Sequence, residues 1–341
     1  MRLRGERDLL SASEGPSRPR AVPGRGAASA VLVVAAAVLW GTTGTGQALL
    51  PPTEEGLRAV VVGLARLALG GAGLALLALL GPSDRWRTLR DRAAARAALV
   101  GTLAVVAYHG AFFAGVARLG VALGTVLALG IAPLTAGLGV ALLGRQRPSV
   151  TWVVATATAV VGVALLLAPS GTSGPAPFGV VLSLAAGMSY ATYALASKRL
   201  LDLGVDGGVA MAVLFGGGGL IALLGLAPPG ARTLLAEVVR APNGPVILVW
   251  LGLVTVVLSY RLYARGLAGL EADRATTLTL AEPVTAALLG VVLLDERLSG
   301  TALLGATLVI VGLLVTVVSV AARPRSATPR PPGAARPSGG A

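Results

Sequence analysis

The sequence predicts an all-α integral membrane fold of ten transmembrane helices in two inverted five-helix repeats. Hydrophobic residues make up 55% of the chain and charged residues only 13%, far more apolar than a soluble domain, where charges are about one quarter. Apolar runs of about 20 residues recur along the chain, each long enough for a hydrocarbon core near 30 Å. The chain also matches itself at an offset of about 150 residues, the mark of an internal duplication.

The runs fall at Ala28 to Leu49, Leu57 to Leu80, Ala97 to Val116, Val121 to Leu143, Val150 to Ala168, Phe178 to Ala196, Gly208 to Leu226, Pro245 to Tyr263, Ala275 to Leu294 and Thr301 to Ala321. They lack the alternating polarity of β-barrel strands, so helices that satisfy their own backbone hydrogen bonds are expected. The first run is too long for a signal-peptide core, and no cleavage is expected. Residues 1–27 and 322–341, rich in Arg, Pro, Ser and Gly, are expected to be disordered cytoplasmic tails.

Orientation follows from basic residues. With the N-terminus inside, the arginines from Arg2 to Arg25, those from Arg85 to Arg96, and Arg145, Arg147, Lys198, Arg199, Arg265, Arg274 and the C-terminal arginines lie on one side. The other side keeps Arg58, Arg118, Arg232, Arg240 and Arg297, a bias of about four to one that places both termini in the cytoplasm. The same distribution disposes of nucleic acid as the reason for a formal charge of +13, because that reading requires one folded basic patch. The chain has no cysteine, which removes disulfides, thiolate chemistry and Cys-based metal sites.

In the repeat register Pro133 meets Pro283, Thr135 meets Thr285, Gly162 meets Gly312 and Trp40 meets Tyr190. Five crossings per half is an odd number, so residues 28–168 and 178–321 must enter the membrane in opposite senses. Inverted repeats of this kind are a hallmark of secondary transporters that bind substrate near the midplane.

Charged groups inside a membrane are default candidates for function. Arg66 lies about nine residues into the second run, roughly 13 Å deep; it is either a substrate contact or a structural partner for helix carbonyls or Glu282. Glu282 precedes Pro283 inside the ninth run, where burial disfavours a charged carboxyl, making it the candidate proton-coupling group or else a structural glutamate. Pro133 and Pro283 are expected helix kinks, freeing the carbonyls of Leu129 and Thr279. Tyr108 and His109, the latter the single histidine, and Trp40, Tyr190 and Tyr260 are candidate substrate-binding residues; packing and interface anchoring are the alternatives. Gly216 to Gly219 and Gly70-Gly71-Ala72-Gly73 lack the strand-to-helix context of phosphate loops and read as close helix contacts.

Several of these segments resemble the EamA family of the drug/metabolite transporter superfamily. The resemblance rests on Leu39-Trp40-Gly41, Arg66, Ile131-Ala132-Pro133, Ala281-Glu282-Pro283-Val284 and the Leu293-Leu294-Asp295-Glu296-Arg297-Leu298-Ser299 end, and covers residues 28–321. Arg145-Gln146-Arg147-Pro148 departs from the family, which usually has a glutamate there. The resemblance implies a carrier exporting amino acids, related metabolites or drugs from the cytoplasm. The partners expected are a small-molecule substrate and the lipid bilayer, with a homodimer left open; no cofactor, metal or nucleic acid is expected. A membrane-embedded enzyme or a non-transporting assembly subunit is the alternative; the former would need clustered catalytic groups and the latter has no use for inverted halves.

Overall fold

A computed structural model describes residues 25–50, 57–119, 121–143, 148–166, 177–294 and 299–322. The expected tails up to residue 24 and beyond 322, the Arg145 to Arg147 stretch and the Asp295 to Leu298 stretch lie outside them. Among the described residues ten apolar helices form the bundle: α1 (Arg25–Ala48), α2 (Leu57–Leu79), α3 (Arg92–Leu119), α4 (Val121–Leu142), α5 (Val150–Leu166), α6 (Pro177–Asp202), α7 (Gly207–Leu226), α8 (Gly244–Ala268), α9 in two pieces (Ala272–Leu278 and Ala281–Leu294) and α10 (Gly300–Ala321). Nine are long enough to cross a membrane comfortably, and α5, with 17 described residues, stands at the short limit.

Two further helices carry no long apolar run and were not anticipated. A 3-10 helix at Ser83–Arg90 precedes α3. A short surface helix at Pro229–Arg240 is amphipathic, and its buried Val238 packs with Leu50, Val62, Ile247 and Leu251 over the ends of α1, α2 and α8.

The helix packing has a regular plan. Helix α1 packs on α8 and α9, and α6 on α3 and α4; α2 faces α7, α5 faces α10, and α4 faces α9. Adding five to each helix number, and counting past ten back to one, turns this set of pairs into itself. Gly26, at the start of α1, sits against Val320 at the end of α10, so both ends of the described bundle lie on one face. That agrees with an even number of crossings.

Without a hydrophobic drive between helices in lipid, close approach depends on small residues. A Cβ at Gly162 of α5 would lie 2.7 Å from the Gly305 carbonyl of α10, and one at Gly305 would lie 2.6 Å from the Gly162 carbonyl. The glycine clusters behave the same way: Gly71 of α2 abuts the Phe215 carbonyl of α7, and a Cβ at Gly219 would lie 2.8 Å from the Leu67 carbonyl. They are helix contacts, as their sequence context implied.

Three departures from regular helix matter for the site. Helix α9 is interrupted at Thr279 and Leu280. Helix α7 widens into a π-helical turn at Ala212–Gly216 and α8 at Trp250–Leu258. Such turns are rare and concentrate at functional sites. The two expected proline kinks differ. Pro133 lies within α4, which runs unbroken, whereas the break in α9 falls just before Pro283.

Two measurements check this architecture. In whole cells, Ser83→Cys should be shielded from an impermeant thiol reagent and Thr233→Cys labelled; the opposite pattern reverses the membrane orientation. Gly162→Leu should lower the unfolding stability of the purified protein by about 1–3 kcal/mol through overpacking against Gly305 and Val309.

Candidate functional site

Aromatic residues make up only 4% of the chain, yet most of them meet in one place. All five tyrosines join Trp40, Phe112, Phe113 and Phe215 in a continuous ring network contributed by α1, α3, α6, α7 and α8. Trp40 lies 4.9 Å from Tyr260 and 5.5 Å from Tyr263 between ring centroids. Tyr260 lies 3.7 Å from Phe215, which continues at 5.7 Å to Tyr193. Tyr193 then reaches Tyr190 at 4.9 Å and Tyr108 at 6.0 Å, and Tyr108 leads to Phe112 at 5.6 Å. Apart from the Tyr260–Phe215 step, these separations lie in the favourable range for ring pairs.

The charged candidates border this network. Arg66 and Glu282 are both half-buried; they lie within electrostatic reach of each other, of Tyr108 and of Tyr260. No ion pair joins them among the described residues. His109 stands edge-on to Tyr108 at 5.1 Å and shares a hydrogen bond between its Nδ1 and the Val105 carbonyl at 2.8 Å. The structure thus brings Trp40, Arg66, Tyr108, His109, Tyr190, Tyr260 and Glu282 into one neighbourhood. Of these, His109 is tied to its own helix, a bond that serves packing.

The irregular helices explain how polar groups are held there. In the widened turn of α8, the Ser259 N–H donates to the Val254 and Val256 carbonyls and bypasses Thr255. The Thr255 carbonyl instead accepts the Ser259 hydroxyl at 2.8 Å and the Arg66 Nη2 at 3.2 Å. Ser259 in turn accepts the Trp40 indole N–H at 2.8 Å. One distorted turn thereby fixes the direction of Arg66 and Trp40 together. The Arg66 Nε and the Tyr263 hydroxyl are buried with no hydrogen-bond partner among the described residues, which is uncommon for buried polar groups.

At the α9 break, Tyr190 donates its hydroxyl proton to Thr279 Oγ1 at 2.7 Å, and Thr279 passes its own to the Thr276 carbonyl at 2.8 Å. Thr277 Oγ1 accepts the Trp152 indole N–H at 3.2 Å and lies 2.9 Å from Thr156 Oγ1. The Thr279 carbonyl, expected to be freed by Pro283, accepts the Glu282 N–H at 3.0 Å. It is not an open ligand, because the chain tightens into an i to i+3 turn just before the proline. Gly41 lets α1 come close at this point: a Cβ there would lie 2.7 Å from the Glu282 carbonyl and 2.6 Å from Thr285 Cβ.

On the side of the network nearer the termini the bundle is closed. Val33 and Leu267 are fully buried, a Cβ at Gly266 would lie 2.6 Å from the Ser29 carbonyl, and Lys198, paired with Asp202 of its own helix at 3.2 Å, ties α6 to α8 through the Leu267 carbonyl at 3.5 Å.

Sequence reasoning missed Phe215, Tyr193, Tyr263, Ser259 and Thr255. Two signals were available: Tyr193 follows Tyr190, and Tyr263 follows Tyr260, by three residues, which puts each pair on one helix face.

A ten-helix bundle with a polar and aromatic centre between its halves defines a multi-pass membrane transporter for small molecules. The chain belongs to the EamA-like transporter family, whose model matches residues 177–318. It is 35% identical over 295 residues to the uncharacterized transporter YwfM of Bacillus subtilis (strain 168), covering 86% of this chain and 94% of that one. A solved crystal structure, 21% identical and superposing with a TM-score of 0.66 over 86% of this chain and 97% of its own, shares the fold.

The ring network makes a local prediction. Tyr260→Phe keeps the contacts with Phe215 and Trp40 and should change unfolding stability by no more than about 1 kcal/mol. Tyr260→Ala should cost about 3–5 kcal/mol, as for other buried aromatic truncations, measured by thermal unfolding in detergent.

Proposed function

We propose that the chain is a secondary carrier that exports a small organic metabolite, an amino acid or a drug of similar size, from the cytoplasm by alternating access between its two inverted repeats. The observation that carries this reading is the unpaired placement of Arg66 and Glu282, opposite charges half-buried deep in the bundle beside a wall of aromatic rings. A guanidinium recognises a carboxylate through directed hydrogen bonds, a carboxylate recognises an ammonium, and the tyrosines accommodate an apolar body. Together these are the complement of an amino acid.

In this reading Arg66 binds the substrate carboxylate with the donor that has no protein partner, and Trp40, Tyr108, Tyr190 and Tyr260 form the apolar side of the substrate site beside His109. Glu282 exchanges a coupling proton: burial favours the neutral acid, while access to water or to Arg66 favours the anion. A change in which side is open therefore changes its protonation. Closure on the terminal side supports a gate there, formed by the small-residue contact of α1 with α8 and the Lys198 tie.

A thermal-shift screen of amino acids and nucleosides against purified protein tests substrate class, since a ligand of the folded state raises its apparent stability. Arg66→Gln should weaken binding of any amino acid found by about tenfold or more, and Arg66→Lys by less. Glu282→Gln should abolish uphill transport driven by a pH gradient while leaving counterflow exchange in proteoliposomes. Retained uphill transport would move coupling away from Glu282, and unchanged ligand binding in Arg66→Gln would remove Arg66 from the site.

A further inference from the structure

A second concavity lies away from the central site, on the face that carries both chain ends. Its volume is about 420 Å³, and it opens between the ends of α2, α7 and α8. Three arginines line it: Arg85 from the 3-10 helix, and Arg261 and Arg265, which stand one turn apart on α8. Leu74, Leu77, Ala78, Leu201, Ala264 and Ala268 supply an apolar wall, and Leu77 is 42% exposed.

None of the three guanidiniums has an ion-pair partner or an acceptor among the described residues. The one carboxylate in the lining, Asp206, is engaged at the start of α7, where its Oδ1 accepts the Gly208 N–H at 3.0 Å and the Val209 N–H at 3.2 Å. The lining therefore keeps a net positive charge of two, on the side of the bundle where α2 ends and α7 begins. Trp86, half-buried beside Arg85, is the residue type that anchors a helix at a membrane interface.

We infer that this concavity is a binding site for the phosphate headgroup of an anionic phospholipid, in the leaflet next to the chain termini. Arg261 and Arg265 bind the phosphodiester from α8 and Arg85 from across the groove, while an acyl chain runs along Leu77 at the lipid boundary. Guanidiniums suit phosphate oxygens by their forked donors, and basic pockets between helix ends are a known way of holding such lipids. A soluble anion would use the arginines but leave the exposed leucine uncovered, so the lipid is the occupant that satisfies both halves of the lining.

The test titrates short-chain phosphatidylglycerol, phosphatidylcholine and inorganic phosphate into the full-length protein in neutral detergent at matched ionic strength, reading Kd by thermal shift. Phosphatidylglycerol should bind more tightly than phosphatidylcholine, and each arginine replaced in Arg261→Gln and Arg261→Gln/Arg265→Gln should weaken it about fivefold. Equal binding of the two lipids, or undiminished phosphatidylglycerol binding in the double variant, overturns the proposal. Inorganic phosphate binding as tightly as the lipid overturns it in favour of a soluble-anion site. Should the α8 variants fail to fold, Arg85→Gln on the surface 3-10 helix carries the same test.

Discussion

Inside a bilayer a backbone amide has no water to fall back on, so each turn of helix given up must be replaced by another hydrogen bond. This constraint governs where the chain can be irregular. Helix α9 breaks only where Thr276, Thr277 and Thr279 can bond back to carbonyls or to neighbouring side chains, with the Tyr190 hydroxyl closing the last link. Helix α8 widens only where Ser259 and Arg66 can take the Thr255 carbonyl that the turn releases. Irregularity and polar side chains therefore occur together, and they occur at the centre.

The same bonds fasten helices to one another, one within the second half of the chain and two between the halves. Tyr190 fastens α6 to the break in α9; Trp40 fastens α1 to α8; Arg66 fastens α2 to α8. In an apolar medium side-chain hydrogen bonds between helices contribute on the order of 0.6 kcal/mol each, reaching up to about 2. They are strong enough to select one arrangement and weak enough to be exchanged for another. Glycine-mediated contacts such as Gly41 on Glu282 set the distances at which these weak bonds can form. A bundle held in this way combines a frame of close small-residue contacts with an interior of individually weak polar bonds, the combination that the alternating access proposed above calls for.

Much of the frame was legible in the chain because hydropathy and length act on every residue of a crossing. Nine of the ten expected runs correspond to helices with ends displaced by a few residues, and the tenth, Ala275 to Leu294, is present but interrupted. The break was hidden because Thr279 and Leu280 do not lower hydropathy enough to mark a boundary, and Pro283 drew attention three residues too late. The Pro229–Arg240 helix was passed over for the opposite reason: its Leu234, Leu235 and Val238 stripe is too short for a crossing. At the site, the rare residues Trp40, Arg66, Glu282 and His109 stood out against an apolar background. Phe215 did not, because it is one more apolar residue in an apolar helix, and its partnership with Tyr260 is a fact of helix packing alone. The widened turns left no trace in the residue pattern at all.

In the repeat register read from the sequence, the site is asymmetric. The repeat register carries Arg66 onto Gly216 and Glu282 onto Ala132, so each charge has a small uncharged residue at its counterpart. Duplicating both charges would place two arginines and two glutamates deep in the bundle, and each buried charge costs several kcal/mol to hold in lipid. It would also crowd the α2 to α7 contact, where a Cβ at Gly216 would lie 3.3 Å from Ala75 Cβ. With one cation and one anion the centre has a direction. Its arginine comes from one half and its glutamate from the other, so in the proposed carrier a dipolar solute bound between them would touch both halves at once. Under the proposed alternating access, any displacement of one half against the other would change the distance between the two charges, and the solute itself would become part of the contact that distinguishes the two states.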